Sequence, residues 1–484
     1  MKKLNRILTG GIAILSAVTM MGGCKSINTA TDGDVPTLVW YVPGDNQQDL
    51  DSINDAASKI TEEKIGAKIK IQFISNGSYT EKMSMINASG ESYDLCFTGY
   101  LSKYIDNAKK GSLLDITEML KDTPELVNSL PDFVWDGAKI DEKIYAVPNY
   151  QILATTTGLS INKALADKYN LDVNSINKTE DIEGFLKNVS ENESGIYPFR
   201  TNWGIASFVE KGADHSEVYK GQCVVGYIKE NGKVKVVPGF KGGNAKEHAK
   251  ILYDWYQKGY IREDVASVMD DSQDAKAGKY AVQMTAYKPG VESEDKIYMG
   301  GDVYSISLSK PMLHHDSIRA TMIGIGAKSK NPEKALKFIE LINTDKELYN
   351  LICFGIDGKH YNKVGDNRIE LIENSGYNPN ASWKFGNQFN AYLLPGQADD
   401  AWEKTKAINE SAEKAASFGF DPDFTNVRTQ YAQCNTVYNE YKVMNSGAIN
   451  PDDYFDEFEK KMYDAGLQDI IDEIQAQLDK HFNQ

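Results

Sequence analysis

The chain is poor in histidine and proline, with 6 and 14 of them in 484 residues, and it lacks the short motifs that announce a particular chemistry. No GxxxxGK[ST] loop is present to cradle a nucleotide phosphate, and no GxGxxG follows a strand. HExxH, GxSxG and an EF-hand loop are absent too, which removes the common metalloprotease, serine-hydrolase and calcium-loop readings. His314-His315 is the only histidine cluster. Neighbours on a strand point to opposite faces, so the pair reads as structural or surface and not as a metal site. The expectation is therefore no metal and no cofactor. Positive charge is also short: 53 Lys and Arg against 69 Asp and Glu leave a net charge of −16. Nucleic acid is excluded as a partner on that ground, because neutralising phosphates requires a basic surface.

Cysteine is sparse as well, 5 in all. Cys96, Cys223, Cys353 and Cys434 lie far apart, form no CxxC and have no histidine at ligand spacing, so they read as buried free thiols. The one long apolar run is Ile7 to Met21, interrupted by Thr9, Gly10, Gly11, Ser16 and Thr19. It is too short and too broken for a good membrane span. It follows a basic head, Met1 to Arg6, and ends in Met21-Gly22-Gly23-Cys24. A basic head, an apolar middle and small residues at a cut site describe a secretory signal. With cysteine directly after the small residues, the segment resembles a bacterial lipoprotein signal. That resemblance implies cleavage after residue 23 and a diacylglycerol on the Cys24 thiol. The alternative is an ordinary secretory signal with an incidental cysteine. Acyl chains contribute about 0.8 kcal/mol per buried methylene, so two or three of them would hold the protein on a membrane. Residues 24–34, small and polar after the cysteine, read as a flexible tether.

What is present is ample material for a core: 41% hydrophobic and 10% aromatic residues, at a length that suits two or three domains. Thr37 to Val42 is a short apolar run closed by Pro43-Gly44-Asp45 and predicts a buried strand. Leu50, Ile53, Ala57 and Ile60 recur at helical spacing up to Gly66, a natural stop. Ile69, Ile71 and Phe73 alternate with polar residues, and Asp94 to Thr98 is another short strand. This strand-helix order predicts an α/β fold with a mostly parallel sheet. Ile144 to Gln151 reads as a strand broken by Pro148, tolerable where the chain leaves one sheet for another body. Arg319 to Ala327 is apolar, and Asn331-Pro332 marks a helix start with a capping asparagine. Phe455, Phe458 and Met462, then Leu467, Ile470, Ile474 and Leu478, predict two terminal helices broken near Gly466.

Aromatic residues stand beside polar ones where strands end. Trp40-Tyr41 precede Asp45, Tyr100 follows Thr98-Gly99, Tyr150 lies between Asn149 and Gln151, Arg200 is close to Trp203, and Trp383 precedes Asn387. In open α/β sheets ligands bind beyond the carboxyl ends of strands. Sugars suit such residues: their C–H faces lie on aromatic rings and their hydroxyls pair with Asp, Asn, Gln and Arg. The plain alternative for any one aromatic is core packing.

Together with the leader, the segments YDLCFTGY, KKGSLLDITEML, IYAVPNYQ, WKFGNQF and NPEKALKFIELINTDKELYNLICFGIDGKHY resemble extracellular solute-binding proteins of ABC importers, sugar-binding group, in a lipoprotein branch with an extended C-terminal region. The resemblance covers nearly all of the chain after the leader. It implies a periplasmic-binding-protein type II-like fold, two α/β lobes joined by crossing strands with a ligand cleft between them. The expected divisions are a signal at 1–23, a tether at 24–34, a first lobe at 35–148, a second lobe at 149–317, a return to the first lobe at 318–352, and a C-terminal region at 353–484 that supplies a cleft wall. The expected function is capture of an oligosaccharide by lobe closure and delivery to ABC permease subunits, by a monomer anchored on the extracellular face of the cytoplasmic membrane, with no bond made or broken. Trp40, Tyr41, Tyr100, Tyr150, Trp203, Tyr287 and Trp383 are the stacking candidates. Asp45, Asn149, Gln151, Arg319 and Asn387 are the hydrogen-bonding candidates, and Trp255 and Trp402 read as core or helix-face residues. Alternatives are a non-sugar solute such as a peptide or polyamine, a secreted glycoside hydrolase, or an adhesin.

Overall fold

The computed structural model describes residues 35–201, 217–218, 224–242, 245–268 and 270–484. The leader, Cys24, the tether to Asp34, Trp203 and Cys223 lie outside the described residues.

The first sheet forms where the sequence concentrates short apolar runs. Its strand order is Lys68–Ile74, Thr37–Pro43, Leu95–Gly99, Thr321–Ile325, Ala146–Pro148. Between the first two strands runs the helix Leu50–Ile65. It stops at Gly66, whose φ of 62° is the left-handed conformation that glycine adopts at least cost. Ile69 and Ile71 are buried while Lys68 and Lys70, which alternate with them, are exposed, as the pattern predicts. Thr37–Pro43 pairs in parallel with both of its neighbours, but Thr321–Ile325 runs antiparallel to both of its own. Ala146–Pro148 therefore runs with the first three strands, and the sheet is mostly parallel, as the strand-helix order predicts, with Thr321–Ile325 alone running against the rest. Local strand-helix order governs the first hundred residues, whereas the other two strands come from chain entering and leaving a second body. Pro148 ends an edge strand, where its missing N–H costs no ladder bond.

A second sheet has the order Val303–Ser307, Thr157–Asn162, Tyr280–Ala286, Tyr197–Arg200. It has its own core, in which Leu159, Ile161, Leu186, Phe199 and Trp255 are buried. A third core joins the hairpin Val225–Glu230 and Lys233–Pro238 to the helices Arg428–Tyr441, Pro451–Asp464 and Leu467–Phe482. Gly466, φ 94°, separates the last two helices. The stretch from Cys353 to Ala391 continues the first core, and the third core takes up the chain from Phe420.

Between these bodies the chain crosses three times. Ala154–Thr155, Met312–Leu313 and Glu413–Lys414 meet there in one small three-stranded sheet. At Asn331 the helix Pro332–Thr344 begins as expected with proline in its first turn, but the asparagine side chain caps nothing. Its backbone carbonyl accepts from Ala335 instead, at 2.9 Å.

Candidate functional site

The loops that follow the first sheet's strands converge on one edge. Thr37–Pro43 gives way to Gly44-Asp45, Leu95–Gly99 to Tyr100, and Ala146–Pro148 to Asn149, while Thr321 opens the strand that returns. Gly99 makes the approach possible. Its φ is 137°, and a Cβ there would stand 2.1 Å from the Ala320 carbonyl oxygen. Without that carbon the two segments close up, and the Tyr100 amide donates to the Ala320 carbonyl at 2.9 Å.

Tyr100 is 53% exposed, so one face of its ring is open to solvent. Its ring lies 6.0 Å from that of the half-buried Trp383, tilted by 45°, and is braced from behind by Phe97 at 5.6 Å. The Trp383 carbonyl accepts from Asn149 Nδ2 at 3.2 Å, and the Asn149 amide donates to Thr321 O at 2.9 Å. Gln151 Nε2 donates to Thr321 Oγ1 at 2.8 Å. Tyr100, Trp383, Asn149 and Gln151 therefore form one connected group around Thr321. Asp45 is exposed just beyond the first strand, and its charge acts on the neighbouring Lys384.

Tyr100 also lines a cavity of about 680 Å³. Lys103, Asp106 and Lys109 line it from the first body, Arg319 from the crossing segment, and Asp421 and Asp423 from the C-terminal region. A volume of this order and a mixed polar and aromatic lining suit a polyhydroxylated ligand.

Other expected residues are placed elsewhere. Trp40 is a correction: it is 0% exposed, with Phe338 at 5.5 Å and Phe385 at 5.8 Å edge-on to its ring. A ring enclosed by protein on every side has no face for a sugar. Tyr41 is buried against Tyr93, its hydroxyl directed at Glu91, and Tyr150 is buried against Phe389 at 4.7 Å, so both correct the stacking expectation. Asn149 is fully buried and donates to the Trp383 carbonyl instead of reaching outward, its Oδ1 having no partner among the described residues. Arg319 is likewise buried. Its Nε donates to Gly137 O, its Nη2 to Lys139 O and its Nη1 to both oxygens of Asp421, so it clamps protein segments together in place of the expected outward hydrogen bond. Asn387 Oδ1 accepts from the Phe389 amide at 3.1 Å and shapes the turn there. Tyr287, half-buried at the end of Tyr280–Ala286, belongs to the second sheet, and burial raises its phenol pKa. Trp255 is core, and Trp402 is half-buried with its Nε1 bonded to Ala391 O.

Two residues that the sequence reading passed over, and one that it read only as half of a structural or surface histidine pair, complete the region. Lys384 is buried behind Trp383, and its adjacency to an aromatic was the one available signal. Asp421 lies in the segment Phe420-Asp421-Pro422-Asp423, one of many acidic pairs in this chain. His315 is buried, accepting from the Gly419 amide at 3.3 Å through Nδ1 and standing 3.3 Å from Asp421 through Nε2.

Comparison with known proteins bears on all of this. The family model described as Bacterial extracellular solute-binding protein matches residues 44–348, and one described as Domain of unknown function (DUF3502) matches residues 416–483. A carbohydrate ABC transporter substrate-binding protein of Streptococcus pneumoniae is 30% identical over 98% of this chain and 96% of its own length. Lipoprotein LipO of Bacillus subtilis is 23% identical over 84% of this chain and 85% of its own. Among solved structures, the N-glycan transport solute binding protein NgtS from Streptococcus pneumoniae aligns with a TM-score of 0.81 at 27% identity, covering 92% of this chain and 98% of that one. The same protein described in complex with Man1GlcNAc aligns at 0.69, with 27% identity over 93% of this chain and 100% of that one. In complex with Man5GlcNAc it aligns at 0.65, with 28% identity over 93% and 99%.

Proposed function

The chain belongs to the family of bacterial extracellular solute-binding proteins, and from that premise we propose that it captures an oligosaccharide outside the cell and hands it unchanged to an ABC permease. The observation that carries the reading is the exposed Tyr100 ring, which lines the 680 Å³ cavity and stands 6.0 Å from the Trp383 ring. Two non-coplanar rings beside amide and charged side chains offer a sugar both a C–H surface and directional partners. Relatives described as carbohydrate and N-glycan binding proteins support the same ligand class.

Capture works by closure of the two bodies around the ligand. The TM-score to NgtS is 0.81 for the structure whose description names no sugar and 0.69 and 0.65 for the two described in complex with one, at nearly constant identity, which supports a change of shape on binding. A ligand touching both bodies favours the closed form by its differential affinity, and open and closed states within a few kcal/mol suffice for a full response. The small sheet of three crossing strands is the natural hinge, with the first lobe from residue 35 to 148, the second from 149 to 317 and the loop at 421–425 forming one wall. Cys24 carries the lipid that holds the monomer on the extracellular face of the cytoplasmic membrane, after loss of residues 1–23. No residue is given a catalytic role.

Thermal-shift and calorimetric screening of glycans beside peptides and polyamines tests the proposal. Man5GlcNAc raising the melting temperature, with the glycan recovered intact, is the expected result. Stabilisation by a polyamine or peptide alone contradicts the sugar assignment, and a shortened glycan contradicts the absence of catalysis.

A further inference from the structure

Lys384 is 4% exposed, although it directly follows the half-buried Trp383. Its Nζ donates to Pro43 O at 2.7 Å, at the end of the first strand. A longer bond of 3.3 Å reaches Oδ1 of Asn76, the first residue of the helix Asn76–Ser89. The same nitrogen stands 4.9 Å from the centroid of the Trp383 ring. Two of the three ammonium protons have oxygen partners, and the third direction falls to the ring's electron-rich face. Burial lowers the pKa of this ammonium, and the Asp45 carboxylate opposes that lowering.

A buried ammonium carries a desolvation penalty, and a flexible apolar side chain of similar length would fill the space without it. Packing alone is therefore a poor reason for a lysine here. What the charge adds is direction. Asn149 Nδ2 fixes the Trp383 backbone through its carbonyl, and Lys384 fixes the ring. The ring so held is the one tilted at 45° against Tyr100.

We propose that Lys384 is a positioning residue for sugar recognition, holding the Trp383 ring by a buried cation–π contact in the orientation that presents it, with Tyr100, to the ligand. This rests on the reading of Tyr100 and Trp383 as a glycan platform. Lys384 acts through Trp383 and does not itself touch the ligand.

The test compares Lys384→Met, Lys384→Arg and Trp383→Phe, singly and with Lys384→Met combined with Trp383→Phe. Three quantities are read: Man5GlcNAc affinity by calorimetry, melting temperature, and the Trp383 share of tryptophan emission, taken as the difference between each protein and its Trp383→Phe counterpart. Lys384→Met is expected to weaken Man5GlcNAc binding about tenfold and to change the Trp383 emission share, with the melting temperature kept or raised. In the Trp383→Phe background the same change should cost less than about twofold, and Lys384→Arg should recover part of the affinity. An affinity loss equal in both backgrounds overturns the proposal, as does an unchanged Trp383 emission share in Lys384→Met. If the parent protein does not bind Man5GlcNAc, the glycan reading fails for that sugar and the emission comparison alone decides the role of Lys384. If Lys384→Met does not fold, Asn76→Ala replaces it: it frees one ammonium proton while keeping the charge, and an unchanged Trp383 emission share there counts against the contact.

Discussion

Arg319 grips both carboxylate oxygens of Asp421, at 2.6 and 2.8 Å, across 102 residues of chain. The same guanidinium donates to the carbonyls of Gly137 and Lys139, so one buried side chain joins the first body, the crossing segment and the C-terminal region. Burial by itself would raise the Asp421 pKa. The hydrogen bond from His315 and the Arg319 charge outweigh it and hold the carboxyl at about 2, below the ordinary aspartate value of 3.8.

From that shift the sign of the pH dependence follows. A folded-state pKa below the unfolded one contributes stability that is present above pH 4 and is lost as pH falls towards 2, roughly 2 kcal/mol in all. Asp421→Asn leaves Arg319 buried without a charged partner and should cost about 3 kcal/mol at pH 7 in urea unfolding. It should also flatten the acid limb of stability between pH 4 and 2. Equal stability of variant and parent at pH 7 would remove the clamp from the account.

Trp40→Ala should destabilise the protein by about 3 to 5 kcal/mol, because it empties the space between Phe338 and Phe385 in the first core. Denaturant titration measures this. A variant of normal stability that has lost sugar affinity would return Trp40 to the binding surface.

The opposite pattern is expected at Tyr100. Tyr100→Ala removes an exposed ring, so stability should stay within about 0.5 kcal/mol of the parent. Oligosaccharide affinity should fall about tenfold, as loss of one stacking ring costs on the order of 1 kcal/mol or more. Calorimetry beside a melting curve separates the two effects, and a fall in both together would mark Tyr100 as packing.

Burial raises the thiol pKa of Cys96 to about 12 and that of Cys434 to about 11, and it raises Cys353 in the same direction. All three are free and buried. A thiol-specific reagent at pH 8 should leave them unlabelled in the native protein and label them once it unfolds, as peptide mass mapping would show. Native labelling of Cys96 or Cys353 would contradict their enclosure.

Local pattern decided what the sequence could reveal. The strand at Thr37–Pro43, the helix closed by Gly66 and the paired helices around Gly466 are written in neighbouring residues, through periodicity and turn chemistry. The family resemblance extended that reading to the whole chain. The site was legible only as a type of residue at a type of place. Trp40 and Trp383 look alike in sequence, each aromatic and each a few residues before a polar run. What separates them is Phe338 and Phe385 closing over Trp40 and leaving Trp383 beside Tyr100. That enclosure is made by chain some 300 residues away, which no local pattern encodes. Arg319 failed for the same reason, since Asp421 and the carbonyls of Gly137 and Lys139 claim it from two distant segments. The first sheet's one antiparallel strand follows from the chain's return at Thr321, again a matter of topology and not of local order.

Isothermal titration of the purified protein with Man5GlcNAc tests the central claim most directly, provided the glycan is then recovered and weighed by mass spectrometry. The account predicts saturable one-to-one binding and a glycan of unchanged mass. Binding of no oligosaccharide in such titrations, or a glycan returned with a bond cleaved, would contradict it.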